Sequence, residues 1–286
     1  MSVPTFDAEQ YKAGQRQQWD SVAQGWRKWW ATIEKVSRNV NDRLMALAGV
    51  GAGHQVLDIA TGIGEPALTA AKIVGAAGKV VATDQSDGML QIARERAAEA
   101  ELENIEFVVV DAGGLDFGEG AFDAATCRWG LMFMPDIEAA LEKIHRSLKP
   151  DGRFVAAVWG PPEKVVGLSL AMGVVQKMLN LPPPPPEAPG MFKLGAPGAV
   201  EALLSGAGFG DVRTEALIVN FEFDSITDYV SFLRDIAAPI RAMLTQETPE
   251  RQAEVWQAIG AAAGSYVNAG GQVSLPNETI IVYGQR

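Results

Sequence analysis

Three aspartates follow apolar runs, in the arrangement of a ligand site at the carboxyl edge of a parallel sheet. Asp58 sits in V-L-D-I-A at 56–60, Asp84 follows V-V-A-T at 80–83, and Asp111 follows F-V-V-V at 107–110. Carboxylates so placed accept hydrogen bonds from hydroxyl, amino or ammonium groups. Between the first two lies Gly62-Ile63-Gly64, followed by Pro66, Ala67, Leu68, Ala70 and Ala71. This reads as strand, glycine turn, helix. Gly62 lets the chain approach a ligand with no Cβ in the way. Pro66 suits a first helical turn, and the helix N-terminus presents free N–H groups to the ligand. Gly62-x-Gly64-x-x-Ala67 also fits the dinucleotide fingerprint. Asp58 argues against that ligand, because its carboxylate repels a pyrophosphate and attracts a cation. Asp84 lies twenty residues after Gly64, where such folds place the acid that binds ribose hydroxyls. Asp111, followed by Ala112, could accept an adenine amino group; a plain turn acid is the alternative.

The elements that must position these residues alternate regularly. Strands are expected at 56–59, 79–83, 105–110, 122–127 and 154–159. Helices follow Pro66, Asp87 and Asp136, the last carrying Ile137, Ala140, Leu141, Ile144 and Leu148 inward. Lys149-Pro150-Asp151-Gly152 reads as a turn. Such βα alternation predicts a parallel sheet with helices on both faces. The alternation breaks after Trp159. Residues 163–181 are an apolar helical segment, Pro182–Pro186 a rigid extended tract, 197–207 a helix and 212–223 a strand. Residues 225–265 are helical with breaks at Pro239 and Pro249, and 278–283 form a last strand. The expected division is an N-terminal helical lid at 1–47, a core at 48–160, a cap insertion at 161–196, more core at 197–224, a helical cap at 225–270 and the last strand at 271–286. The two insertions are expected to roof the site, with an oligomerisation surface as the alternative.

Residues 8–47 carry Trp19, Val22, Trp26, Trp30 and Ile33 at helical spacing, with Trp29 beside them. One reading is a helix packed on the core. The other is a lid whose indole faces attract a cationic ligand.

A chain of 286 residues buries a large core. Its 24 basic and 35 acidic residues leave a net charge of −11, which disfavours nucleic acid and anionic membranes as partners. No apolar run reaches spanning length. The start, M-S-V-P-T-F-D, lacks the features of a secretion signal. The lone Cys127 excludes an internal disulfide and a cysteine metal cluster. The expectation is a cytoplasmic protein without a metal; its oligomeric state is left open.

Six stretches resemble the class I S-adenosylmethionine (SAM) dependent methyltransferases of small molecules, in particular the ubiquinone/menaquinone methyltransferase-like group. They are V-L-D-I-A-T-G-I-G at 56–64, A-T-D-Q-S-D-G-M-L at 82–90, F-V-V-V-D-A at 107–112, F-D-A-A-T-C-R-W-G-L-M-F-M-P-D at 122–136, R-S-L-K-P-D-G-R-F at 146–154 and L-L-S-G-A-G-F at 203–209. Ala60 departs from the first stretch, where the group usually has glycine. The resemblance implies a Rossmann-like sheet of seven strands, mostly parallel, with the last strand antiparallel between the fifth and sixth, and helical cap insertions. It implies SAM as cofactor. Asp58, Ala60, Gly62 and Gly64 would hold its methionine end, Asp84 the ribose, Gln85 and Met89 the adenine face, and Asp111 and Ala112 the adenine edge. Cys127 and Arg128 would close the methionine side through their backbone. Trp26, from the tryptophan stripe, is a further expected cofactor contact.

Methyl transfer from a sulfonium needs alignment, exclusion of water and a nucleophile. An apolar acceptor pocket is expected from Trp19, Trp30, Trp129, Met132 and Phe192, with Arg128 available to an acceptor anion. His54 precedes the first strand and His145 lies on the polar side of a helix, so both read as structural. Two other functions fit less of the pattern: a nicotinamide-dependent reductase, and a non-catalytic SAM-binding subunit.

Overall fold

The computed structural model describes residues 7–182 and 188–286. Of the expected proline tract, Pro183–Pro186 lie outside the described residues. Two helices open the chain, α1 (Ala8–Lys28) and α2 (Trp30–Ala48). Asp7 caps the first, accepting from Glu9 N and Gln10 N at 3.0 Å. Gly49, at φ +64°, closes the second in the left-handed conformation that glycine adopts without strain.

The core strands are β1 (Gln55–Ile59), β2 (Lys79–Asp84), β3 (Ile105–Val109), β4 (Phe122–Arg128) and β5 (Leu148–Trp159). Between them run α3 (Ala67–Val74), α4 (Asp87–Glu99) and α5 (Ile137–Ser147). Ser86 and Asp136 cap α4 and α5 with their side chains. The expected turn at 149–152 is instead an irregular start to β5, with Asp151 at φ +64° and a register shift opposite Phe122 and Ala124. Then come α6 (Val166–Met178), α7 (Ala199–Gly206), β6 (Gly210–Phe223), α8 (Ile226–Ile236), α9 (Ala238–Leu244), α10 (Pro249–Ala263) and β7 (Val273–Gln285).

The seven strands form one sheet in the order β3-β2-β1-β4-β5-β7-β6. The first five are parallel, and β7 is antiparallel to both β5 and β6. The chain moves one way from β1 to β3 and the other way from β4 to β5. Right-handed crossovers therefore place α3 and α4 on one face and α5 on the other. The order reverses between β1 and β4, the switch point where open α/β sheets form a crevice. Leu57, Ile59, Leu141, Ile144 and Phe154 are fully buried between the layers.

The described residues of the two insertions, 161–196 and 225–270, stand outside the lining of the crevice. The second insertion instead grips α1 from behind. Lys28 Nζ and Trp29 Nε1 both donate to Asp235 Oδ2 at 2.7 Å, and Trp26 Nε1 donates to Ile236 O at 3.4 Å.

Candidate functional site

A cleft open to solvent at its mouth lies over the carboxyl ends of β1, β2, β3 and β4. Its floor is the glycine turn. Gly62, at φ +57°, has open space where a Cβ would project. Ala60 takes φ +56°, a conformation that costs an alanine and not a glycine. A Cβ at Gly130 would stand 2.5 Å from the Ala60 Cβ, so the side chain at 60 requires its absence at 130.

Asp84 ends β2 on the cleft wall. It accepts from Gly62 N at 2.8 Å and Ser86 N at 2.9 Å, tying the glycine turn to the start of α4. Burial pushes its carboxyl up to about 6, against the pull of those N–H groups. Gln85 and Met89 stand beside it. Asp111 and Ala112 line the far wall, where Asp111 Oδ1 accepts from Gly113 N at 2.8 Å and faces Lys12 Nζ at 3.6 Å.

The near wall is α1. Tyr11, Lys12, Gln15, Trp19 and Trp26 all line the cleft. Trp19 packs edge-on against Trp26 and Phe133, with centroids 6.0 and 5.7 Å apart. Asp20 fastens this helix over the site, accepting from Ser86 Oγ at 2.5 Å and Gly88 N at 3.2 Å. At the end of β4, Trp129 sits at φ +56°, a strained conformation for a bulky residue. Three contacts hold it there. Its indole stacks on Trp159 at 4.3 Å, its Nε1 donates to Thr279 Oγ1 at 2.9 Å and its backbone N donates to Ala157 O at 2.8 Å. Arg128, beside it, also reaches the cleft.

Six expected site residues lie elsewhere. Asp58 is fully buried beneath the turn. Its Oδ2 accepts from Ala67 N at 3.1 Å and its Oδ1 from Thr126 Oγ1 at 2.7 Å, so it caps α3 and uses the N–H that was expected to face the ligand. The acid this loop turns to the cleft is Glu65. Gly64 faces α4, where a Cβ would be 3.2 Å from Ala93 Cβ and 2.3 Å from Leu68 Cδ1. Cys127 and Met132 are fully buried in the core. Trp30 belongs to α2, not α1, and points outward under Arg96, 39% exposed. Phe192 packs on the core without lining the cleft. Sequence reasoning missed Tyr11, Lys12, Gln15, Glu65, Phe133 and Met134. Tyr11 and Gln15 precede Trp19 by eight and four residues, so the tryptophan stripe carried back two turns reaches both.

Burial pushes the Asp58 carboxyl from 3.8 up to about 7. The folded chain therefore holds a proton there that the unfolded chain has lost between about pH 4 and 7. That contribution to stability is fully present below pH 4 and is lost as pH rises through about 7. Asp58→Asn, which keeps an acceptor for Ala67 N, is expected to gain stability over the wild type as pH rises from 5 to 8. Urea melts across that range measure this, and a constant difference would contradict it.

The sheet order, with a cleft and an acid at the carboxyl end of the second strand, is that of the Rossmann-like methyltransferases. The chain belongs to the ubiE/COQ5 methyltransferase family, which it matches over residues 19–171. It is 39% identical over 117 residues to the ubiquinone/menaquinone biosynthesis C-methyltransferase UbiE of Pseudomonas putida, a stretch covering 41% of this chain and 46% of that protein. The chain thus spans about half the length of the curated relatives it matches. Solved structures share the fold. The YcgJ protein of Bacillus subtilis has a TM-score of 0.57 at 20% identity, over 87% of this chain and 98% of that one. The phosphoethanolamine N-methyltransferase 2 of Haemonchus contortus, in complex with phosphomonomethylethanolamine and S-adenosylhomocysteine, has a TM-score of 0.58 at 18% identity, over 99% of this chain and 61% of that one. Among the described residues no helix is long and apolar enough to cross a membrane, and no cluster of His, Cys, Asp and Glu is disposed to hold a metal.

Proposed function

We propose that the chain is a SAM-dependent methyltransferase acting on a small, largely apolar acceptor. The observation that carries this is the pairing of Asp84 with the Gly62 N–H at the floor of an aromatic-walled cleft. The donor set fits the cofactor: an acid for the ribose hydroxyls, open space above Gly62 for the chain that joins ribose to sulfur, and Met89, Asp111 and Ala112 for the base. When bound, the cofactor supplies an electrophilic methyl group to a nucleophile brought in line with it. Trp19, Trp26, Phe133 and Trp129 line the cleft and present π faces that favour a cation. The curated relatives are named as C-methyltransferases of ubiquinone and menaquinone biosynthesis. Their match spans under half their length, so it supports the group transferred and leaves the acceptor to be found.

Calorimetry tests the reading. S-adenosylhomocysteine is expected to bind and NADH is not; the reverse would make the protein a nicotinamide enzyme. Neither histidine is near the cleft. His54 Nδ1 accepts from Gly51 N at 3.3 Å, at the amino end of β1. His145 packs edge-on against Phe209 at 4.9 Å, and burial with the Arg286 guanidinium keeps it below its ordinary value. His54→Asn and His145→Asn are expected to keep methyl transfer within about tenfold of wild type, whereas loss of a general base costs about 10²–10⁴-fold. Abolished transfer from labelled SAM in either variant, with binding intact, would place that imidazole in the reaction.

A further inference from the structure

Arg128 is a buried guanidinium whose donors are mostly unused. It ends β4, is 9% exposed and lines the cleft. Nη1 donates to Asn41 Oδ1 at 2.8 Å, and the plane lies over the Trp129 ring, 5.0 Å from its centroid. Nε is buried with no partner. Among the described residues, no carboxylate oxygen comes within 4.0 Å of this guanidinium. An arginine has five donors, and a buried one left unpaired is costly.

The neighbouring charges do not settle the deficit. Glu65 is the acid that Arg128 feels most strongly, but it is already engaged. Asn41 Nδ2 and Thr69 Oγ1 donate to its Oε2 at 3.3 and 2.7 Å, and Arg96 Nη2 stands 3.7 Å from its Oε1. Asp58 is the other acid that Arg128 feels, and its burial leaves it partly protonated at neutral pH. The carboxylate that Arg128 feels most strongly is thus committed to Asn41, Thr69 and Arg96. Trp129, in its strained backbone conformation, walls one side of the gap.

We propose that Arg128 receives a carboxylate of the ligands bound in the cleft. This rests on the cofactor reading above. Two molecules could bring that group: the cofactor, through its methionyl carboxylate, or the acceptor, as an acid with an apolar body. β4 adjoins β1 at the switch point, with Asp58 paired to Thr126 two residues before Arg128, so the guanidinium stands at the crevice end of β4.

The test is calorimetry on the full chain, wild type, Arg128→Met and Arg128→Lys, with S-adenosylhomocysteine and with 5′-methylthioadenosine. The second ligand is the same nucleoside thioether without the amino acid. A loss of about 10- to 100-fold for S-adenosylhomocysteine in Arg128→Met, with 5′-methylthioadenosine unchanged, assigns the carboxylate to the cofactor. Unchanged S-adenosylhomocysteine sends the question to its complex, titrated with benzoate and its neutral counterpart benzamide. Benzoate preferred by wild type and not by Arg128→Met assigns the carboxylate to the acceptor. Arg128→Lys keeps the charge without the fork and is expected to fall between the two in either arm. Equal loss of both nucleosides overturns the proposal, since a ligand with no carboxylate has no such contact to lose. Unchanged S-adenosylhomocysteine with no benzoate preference overturns it too. A wild-type chain that binds neither nucleoside overturns the cofactor reading, and this one with it.

Discussion

Asp84→Ala is expected to weaken S-adenosylhomocysteine binding by about 1–3 kcal/mol, roughly 5- to 150-fold, the usual cost of losing a charged hydrogen-bond partner. The carboxylate does two things at once. It is the acceptor that the cleft offers at the end of β2, and it fixes Gly62 N and Ser86 N on either side. A carboxyl held near 6 by burial is itself a cost to the ligand-free chain at neutral pH, which offsets what its two N–H bonds contribute to the fold. Circular dichroism should therefore show an intact sheet in the variant. A pH dependence follows with a definite sign. Donation from ribose hydroxyls favours the ionised form, so wild-type affinity falls as pH drops through about 6. Asp84→Ala should lose that dependence along with the affinity. Unchanged binding in the variant would remove the ribose from this end of the cleft.

Gly25→Ala is expected to detach α1 from α8. A Cβ at Gly25 would lie 2.1 Å from Asp235 O and 2.6 Å from its carbonyl carbon. Both are backbone atoms, which cannot rotate away. Alanine gains about 1 kcal/mol over glycine inside a helix, and overpacking costs about 1–3 kcal/mol. The overlap here is deep, so the cost wins and the helix must move. Trp19 and Trp26 move with it, and the near wall of the cleft goes with them. Hydrogen exchange should speed up across 8–28 while β1, β2 and β4 stay protected, and S-adenosylhomocysteine affinity should fall about tenfold or more. Gly14→Ala is the control. It is on the same helix with nothing within 4 Å of its would-be Cβ, so it keeps the propensity gain and stabilises the chain by roughly 0.5–1 kcal/mol. Equal exchange in both variants would show that α1 is not held through this crossing.

The sheet was legible because its signals are local. Apolar runs ending in an acid, then glycine or a capping residue, mark each strand and the start of the next helix. Asp84, Gln85, Met89, Asp111 and Ala112 were found that way, and the structure brings all five to the cleft. The side to which Asp58 points was not legible. β1 is buried on both faces, so its residues carry no alternation to distinguish the layer under α3 from the edge over the ligand. Trp30 was misplaced for a different reason. The stripe from Trp19 to Ile33 is periodic only if one helix runs through it, and α1 stops at Lys28. Trp29 then turns inward to Phe232 and Phe223, with centroids 5.6 and 6.5 Å away. Phe192 and Met132 depend on how distant segments settle on one another, which no spacing in the chain records.

The position of β7 has a consequence for how the protein is made. It is the last strand in the chain, yet it lies between β5 and β6. While the polypeptide leaves the ribosome, β6 emerges before β7, the one strand it pairs with. Its 14 residues wait, with their backbone donors and acceptors open, while α8, α9 and α10 are synthesised. An unpaired strand in a nascent chain is a template for joining other chains. The clamp on α1 is thus synthesised before the sheet can close, and the sheet is complete only once β7 lies between β5 and β6. A nascent chain halted before Val273 would present five parallel strands and a loose sixth, and would be the form most at risk of aggregation.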